Sequence, residues 1–276
     1  MEIERDDSEA PRIKGVVTGA LGRMGRLFAT ALHTTPGYAL YGATERHDHP
    51  HIGKDVGLEL FGRPIACSLE NDLLNCVVAA NVVIDFTSPD ASLSHVKVCA
   101  DRNIPYVCGT TGFAGEKLAE FERIAAGTRT VFAPNFSVGV NLLIALAKRA
   151  ARVLGEDFDV EIVEAHHRHK VDAPSGTALA LARAVAESLD LGDDSFVFGR
   201  EGHVGPRSGG KIGVLAVRGG DVVGDHDLHF LGDGERVTLT HRASSRETFV
   251  RGALRAALWL QNREPGLYSM RDVLGL

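Results

Sequence analysis

Ile13-Lys14-Gly15-Val16-Val17-Thr18-Gly19-Ala20-Leu21-Gly22-Arg23-Met24-Gly25 is the stretch on which the fold turns. Ile13 to Thr18 reads as a short strand. It runs straight into a glycine-rich turn, after which Met24, Leu27, Phe28, Ala31 and Leu32 recur at helical spacing. Strand, glycine turn and helix in that order suit a dinucleotide. Glycine lets the backbone turn tightly and approach a pyrophosphate, which sits on the helix N-terminus. The spacing is Gly-x-x-Gly-x-x-Gly, with Leu21 in a middle position. Glycines alone mark any tight turn, so the flanking strand and helix carry the reading. It assigns Gly19, Ala20, Leu21, Gly22, Arg23 and Met24 to a cofactor.

Downstream, a second strand from Ala39 to Thr44 ends at Glu45-Arg46. An acidic residue at this distance accepts ribose hydroxyls, and a neighbouring arginine holds a 2′-phosphate. Having both predicts tolerance of NADH and NADPH; the alternative is a solvated pair at a strand end. Val82 to Thr87 is strongly β-prone. Ser88-Pro89-Asp90 then opens a helix to about Arg102. Pro105 to Cys108 reads as a strand, about Gly115 to Ala126 as a helix, and Thr130 to Ala133 as a strand. Strands alternating with helices predict an α/β fold with a doubly wound, Rossmann-like parallel sheet. Ligands of such sheets lie beyond the carboxyl ends of the strands. That rule puts Gly109, Thr110 and Thr111, and Ala133, Pro134, Asn135 and Phe136, along the cofactor crevice, unless these are only turns.

Near Asn135 the pattern changes. Val138 to Leu154 reads as a long buried helix, and Phe158 to Glu164 alternates apolar and acidic residues as a half-buried strand does. His166-His167-Arg168-His169-Lys170 follows, then Ser175, a good N-cap for a helix burying Ala178, Leu181, Ala182, Val185 and Leu189. A basic loop feeding a helix N-terminus is a trap for a small dianion. Lys170, Ser175 and the backbone N–H groups of Gly176 and Thr177 would orient a carboxylate, and His166 or Lys170 would supply a proton. The plainer alternative leaves the histidines solvated at a strand end or holding carbonyls. Residues 199–210 read as loop. Strands follow at Ile212 to Arg218, about Val222 to Leu231, and Glu235 to His241, with a hairpin turn at Gly232-Asp233-Gly234. They indicate a second, mixed-sheet domain before a terminal helix marked by Phe249, Ala253, Ala256, Ala257 and Leu260.

Composition excludes several classes. The chain has 276 residues, 44% hydrophobic and 24% charged, with a net charge of −6. This is an ordinary soluble composition with room for two domains, and a poor one for nucleic-acid binding. No run of about 18 apolar residues suggests a membrane span. Met1 to Arg12 is polar and acidic, lacks the apolar core of a signal peptide, and reads as a disordered leader. Cys67, Cys76, Cys99 and Cys108 show no Cys-x-x-Cys spacing and read as free thiols in a reducing cytosol. His47, His49 and His51 resemble a metal tract. Pro50 and the glycines nearby favour a loop, and His-Glu-x-x-His is absent, so no metal is expected.

The segment Glu161 to Ala178, the Gly19 to Gly25 turn, Gly109 to Phe113, Ala133 to Gly139 and Met270-Arg271-Asp272-Val273-Leu274 together resemble the 4-hydroxy-tetrahydrodipicolinate (dihydrodipicolinate) reductase family. The resemblance covers about Ile13 to the C-terminus. It implies a cytoplasmic enzyme of lysine and diaminopimelate biosynthesis that reduces a cyclic dicarboxylate with NADH or NADPH. It implies a discontinuous dinucleotide domain (13–135 and 245–276) and an α+β substrate and tetramerisation domain (136–244) of a homotetramer. By resemblance, His166 is the proton donor/acceptor and Lys170 the proton donor, His167 a substrate contact, and Gly176 and Thr177 carboxylate binders. Gly19 to Met24 would hold the pyrophosphate, Glu45 and Arg46 the ribose side, and Gly109 to Thr111 with Ala133 to Phe136 the nicotinamide side. Leu21 stands where relatives often carry glycine, and Pro134 where they often carry alanine. Two rivals remain: another nicotinamide-dependent dehydrogenase, decided by a substrate panel, and a non-catalytic dinucleotide sensor, which would bind cofactor without turnover. A metal hydrolase is a more distant third, decided by metal analysis.

Overall fold

Alternating apolar strands and amphipathic helices build the first half of the chain. The computed structural model describes residues 13–276, so the acidic leader, residues 1–12, lies outside the described residues. Strand β1 (Ile13–Thr18) leads into α1 (Arg23–Thr34), which buries Phe28, Ala29 and Leu32. There follow β2 (Tyr38–Thr44), α2 (Val56–Phe61), β3 (Leu69–Glu70), β4 (Val82–Asp85), α3 (Pro89–Asp101), β5 (Tyr106–Cys108), α4 (Gly115–Ala125) and β6 (Arg129–Phe132). Ser88 caps α3 through Ala91 N–H, with Pro89 in the first turn, where its missing N–H costs nothing.

The second half continues with α5 (Val138–Leu154), β7 (Asp159–His166), α6 (Gly176–Ser188), β8 (Phe196–Val197), β9 (Ile212–Arg218), β10 (Gly224–Leu231) and β11 (Arg236–Ala243). It ends in α7 (Glu247–Leu260), β12 (Gly266–Tyr268) and α8 (Met270–Leu274). Two compact units result: residues 13–136 with 249–275, and residues 137–248.

In the first unit a seven-stranded sheet has the order β12-β6-β5-β4-β1-β2-β3, and every pairing is parallel. The fold is therefore the doubly wound α/β class that the alternation implies. The winding reverses between β1 and β4, so the switch point lies past Thr18 and Asp85, where such sheets bind ligands. Ile13, Val17 and Ile84 of the strands, Phe28 and Leu32 of α1, and Ala253, Ala257 and Leu260 of α7 share one core. On the other side of the sheet, Val16, Val83 and Tyr106 pack with Cys99 and Phe121. The four cysteines are free and buried. Burial pushes Cys67 and Cys108 up to about 12 and Cys76 to about 11, which makes them inert packing residues.

In the second unit the sheet order is β11-β10-β7-β9-β8. β7 pairs parallel with β9 and antiparallel with β10, and β10 pairs antiparallel with β11, so the sheet is mixed. Its inner face, carrying Val160, Ile162, Ile212, Val214, Leu228 and Phe230, packs on Leu143 and Ala147 of α5 and Leu181 and Val185 of α6. Residues 199–210 contain no helix or strand; Arg200 and Arg207 fasten the segment to Glu161 of β7.

Several elements differ from the sequence reading. β7 runs on to His166, because it keeps pairing with β9 as far as His166↔Arg218. α2, β3, β8, β12 and α8 carry too little local pattern to be read from sequence. Among the described residues, no helix is long and apolar enough to cross a membrane.

Candidate functional site

The first cluster lies at the carboxyl ends of β1 and β4. Gly19 has φ +59°, a conformation open to glycine. Its carbonyl accepts Gly22 N–H at 3.0 Å, closing the turn. A Cβ at Gly25 would lie 1.9 Å from Gly19 O, so only glycine lets α1 pack onto the turn. Glu45 reaches back from the end of β2, and its Oε1 accepts Leu21 N–H at 3.1 Å. Arg46 is exposed and pairs with Asp48 at 3.3 Å. A Cβ on Gly109 would fall 2.0 Å from Cε1 of Phe86, whose ring lies against Phe28 and Phe136. The cradle that these glycines keep open fits a dinucleotide pyrophosphate.

Not every residue singled out by sequence faces outward there. Ala20 is buried with its N–H bonded to Thr44 O, and Thr110, Ala133 and Phe136 are buried as well. They shape the walls. Gly22, Arg23, Arg46, Thr111 and Pro134 are exposed, while Gly19, Leu21, Met24, Glu45, Gly109 and Asn135 are half-buried. Phe86 and Thr87 border the turn, a Cβ on Gly19 falling 2.9 Å from the Thr87 methyl. The sequence reading left them out of the site, although they follow a strand end and the same crevice rule would have included them.

Behind this wall sits Asp85, wholly buried. It accepts hydrogen bonds from Tyr106 Oη at 2.5 Å, Thr87 Oγ1 at 2.6 Å and Thr87 N–H at 3.0 Å, and its Oδ2 lies 2.7 Å from His95 Nδ1. Burial opposes its charge, but the bonds to His95, Thr87 and Tyr106 outweigh burial and hold the carboxyl below the usual carboxylate range. A carboxyl with a depressed folded pKa stabilises fully above its unfolded pKa, and that contribution fades as pH falls through the folded value. Asp85→Asn should therefore cost about 3 kcal/mol at neutral pH, with the gap narrowing in acid. Urea unfolding at pH 7 and in acid checks this; an equal cost at both contradicts it.

The second cluster belongs to the other unit. Strand register brings Glu164 beside His226 on β10, and His166 beside Arg218 on β9. All four lie at the end of the sheet where α6 begins. Ser175 caps α6, its Oγ accepting Ala178 N–H at 3.1 Å, and Oγ also lies 3.2 Å from His226 Nε2. Its hydroxyl is thus engaged in building the helix start. Gly176 is exposed, and a Cβ there would meet nothing within 4 Å. The positive end of α6 therefore opens onto free space, as an anion site requires. Lys170 Nζ lies 2.8 Å from Asp172 Oδ1, and Lys170 N–H turns back to His167 O.

Glu164 joins these parts. It is fully buried, takes Arg218 in a two-pronged ion pair, and lies 2.6 Å from His166 Nδ1. Burial raises its pKa, but Arg218, His166 and Ser175 N–H outweigh burial and hold it below the usual range. Burial, then the His166 charge, lowers His226 to about 4, so that ring is neutral at pH 7. His167 is lowered by desolvation and then by Arg246, which brings a second guanidinium to the cluster. Glu164, Arg218, His226 and Arg246 were not singled out from sequence. They are scattered over more than 80 positions; strand register brings Glu164, Arg218 and His226 together, and Arg246 lies in the connection that follows β11.

A parallel dinucleotide-type sheet plus an anion cradle with histidine and lysine at its mouth defines an oxidoreductase of the Rossmann class. Comparison with known proteins sharpens this. Family models for the N-terminus and the C-terminus of dihydrodipicolinate reductase match residues 13–136 and 139–274, and the chain belongs to that family. It is 49% identical over 264 residues to the 4-hydroxy-tetrahydrodipicolinate reductase of Anaeromyxobacter dehalogenans (strain 2CP-1), covering 95% of this chain and 98% of the relative. It is 50% identical over 266 residues to that of Thiobacillus denitrificans, covering 96% and 99%. Among solved structures it resembles dipicolinate-bound dihydrodipicolinate reductase from Paenisporosarcina sp. TG-14, with TM-score 0.74, 26% identity, and 94% and 98% of the two chains covered.

Proposed function

We propose that this chain reduces 4-hydroxy-tetrahydrodipicolinate to tetrahydrodipicolinate in lysine and diaminopimelate biosynthesis, using NADH or NADPH. The observation that carries the reading is the hydrogen-bond chain from His166 through Glu164 to Ser175 N–H at the open N-terminus of α6, with Lys170 in the turn that leads there. A cyclic dicarboxylate needs such a cradle for one carboxylate and a proton source beside its ring. Gly176 and Thr177 bind that carboxylate through the first turn of α6, with Ser175 fixing the turn. His167 contacts the substrate, and His166 and Lys170 supply protons. The unit of residues 13–136 and 249–275 is the dinucleotide-binding domain. Gly19 to Met24 hold the pyrophosphate, Glu45 and Arg46 the ribose side, and Gly109 to Thr111 with Ala133 to Phe136 the nicotinamide side. A reduced nicotinamide dinucleotide bound there supplies the hydride. Glu45 suits free ribose hydroxyls and Arg46 a 2′-phosphate, so both cofactors serve.

The second unit also assembles the protein. The sheet face turned away from α5 and α6 carries Val163, Leu215 and the exposed Val217, and it joins copies into a cytoplasmic homotetramer. Sedimentation equilibrium should give four times 29.5 kDa; a monomer contradicts this. Dipicolinate, the planar relative of the substrate, tests the cradle. Calorimetry should show it binding to the wild type and at least about tenfold more weakly to Lys170→Ala, the loss of one charge-assisted bond. Absence of binding to the folded wild type contradicts the assignment.

A further inference from the structure

Each oxygen of Glu164 receives two hydrogen bonds. Oε1 accepts Ser175 N–H at 2.9 Å and Arg218 Nη2 at 2.7 Å; Oε2 accepts Arg218 Nη1 at 2.8 Å and lies 2.6 Å from His166 Nδ1. A two-pronged guanidinium and a backbone N–H keep the carboxylate ionised, and an ionised carboxylate only accepts. The bond to His166 therefore has one polarity: Nδ1–H donates. This holds whether the ring is neutral or charged, so the proton that the ring exchanges sits on Nε2. Gly224 keeps that atom clear, since a Cβ there would come within 3.0 Å of Nε2. Titratable side chains around the ring include His226, whose ring is 5.3 Å away, Arg218 through Glu164, and the neighbouring His167, with Lys170 acting on both His226 and His167.

We propose that Glu164, clamped by Arg218, is the positioning residue of proton transfer: it fixes His166 with Nδ1 protonated and Nε2 as the exchanging atom, and through Ser175 N–H it ties that orientation to the start of α6. The proposal rests on the reading of His166 as a proton-transfer group. When the imidazolium gives up its proton, the Nε2–H bond breaks and its electron pair stays on Nε2. The acceptor atom gains the proton, and the ring returns neutral with Nδ1–H unchanged. One carboxylate thus sets both the proton donor and the first turn of the anion cradle. A purely structural ion pair would make no demand on the tautomer. It would also make no demand on turnover once the protein is folded.

The test combines kinetics with the tautomer itself. Glu164→Gln is neutral and can turn its NH₂ toward the ring, which favours the wrong tautomer. It should fold as judged by circular dichroism, keep KM for the dicarboxylate within about threefold, and lose kcat by roughly 10²–10⁴-fold. In parallel, the wild type labelled with ¹⁵N-histidine, with the His166 signals assigned by their loss in His166→Gln, should show neutral His166 protonated on Nδ1. That measurement decides even if Glu164→Gln fails to fold. A wild-type ring protonated on Nε2 overturns the proposal, as does Glu164→Gln turnover within about threefold of wild type while His166→Gln is dead. If His166→Gln itself turns over normally, it is the reading of His166 that fails, a result distinct from the other two.

Discussion

Lys170→Ala is expected to lose kcat by roughly 10²–10⁴-fold, the range for removing a positioned proton donor, while folding as the wild type does. Lys170 sits in the turn between β7 and α6, and its Nζ pairs with the exposed Asp172. An ion pair of that kind contributes about 0–1 kcal/mol, so deleting it leaves the unit folded. The loss is therefore chemical. Steady-state kinetics with a thermal melt on the same sample separate the two effects. A folded variant with near-normal turnover would remove Lys170 from the mechanism.

The second large effect is expected in the other unit. Gly25→Ala puts a Cβ 1.9 Å from Gly19 O, 2.7 Å from Gly19 C and 2.8 Å from Ala20 Cα. All three are backbone atoms, so no side chain can swing aside. Either α1 lifts off the sheet or the turn deforms, and a pyrophosphate cradle displaced by about 1 Å loses on the order of 10²-fold. Fluorescence titration with NADH and NADPH should show affinity for both falling by about that factor. Gly176→Ala makes a useful contrast, because its Cβ meets open space and should leave the fold and cofactor affinity intact. Unchanged cofactor affinity in Gly25→Ala would contradict the placement of the cofactor on this turn.

Much of this was legible in the sequence because the signals are local. β1, α5 and β9 follow directly from their apolar patterns, and Ser175 and Ser88 announce their helices as caps do. The basic pentad at His166 to Lys170 was visible as composition. What stayed hidden depends on distant partners. β3 exists because Leu69 pairs with Ala43, and β12 because Leu267 pairs with Thr130; neither short strand has a pattern of its own. Asp85 read as one member of a β-prone run, yet Tyr106 and His95 close over it from elements elsewhere in the chain. Glu164 read as the last acidic residue of a half-buried strand. Two residues past Ile162, it falls on the same inward face, but only pairing with β9 and β10 brings Arg218 and His226 to it.

The central claim is an activity, and one coupled assay addresses it most directly. The unstable substrate is generated from pyruvate and aspartate semialdehyde by a synthase, and absorbance loss is followed with NADH and NADPH in separate cuvettes. Oxidation that depends on this protein, with either cofactor, and that is abolished in Lys170→Ala is the predicted result, and the two rates give the cofactor preference. A folded protein that binds dinucleotide but oxidises neither cofactor in the presence of the substrate would contradict it.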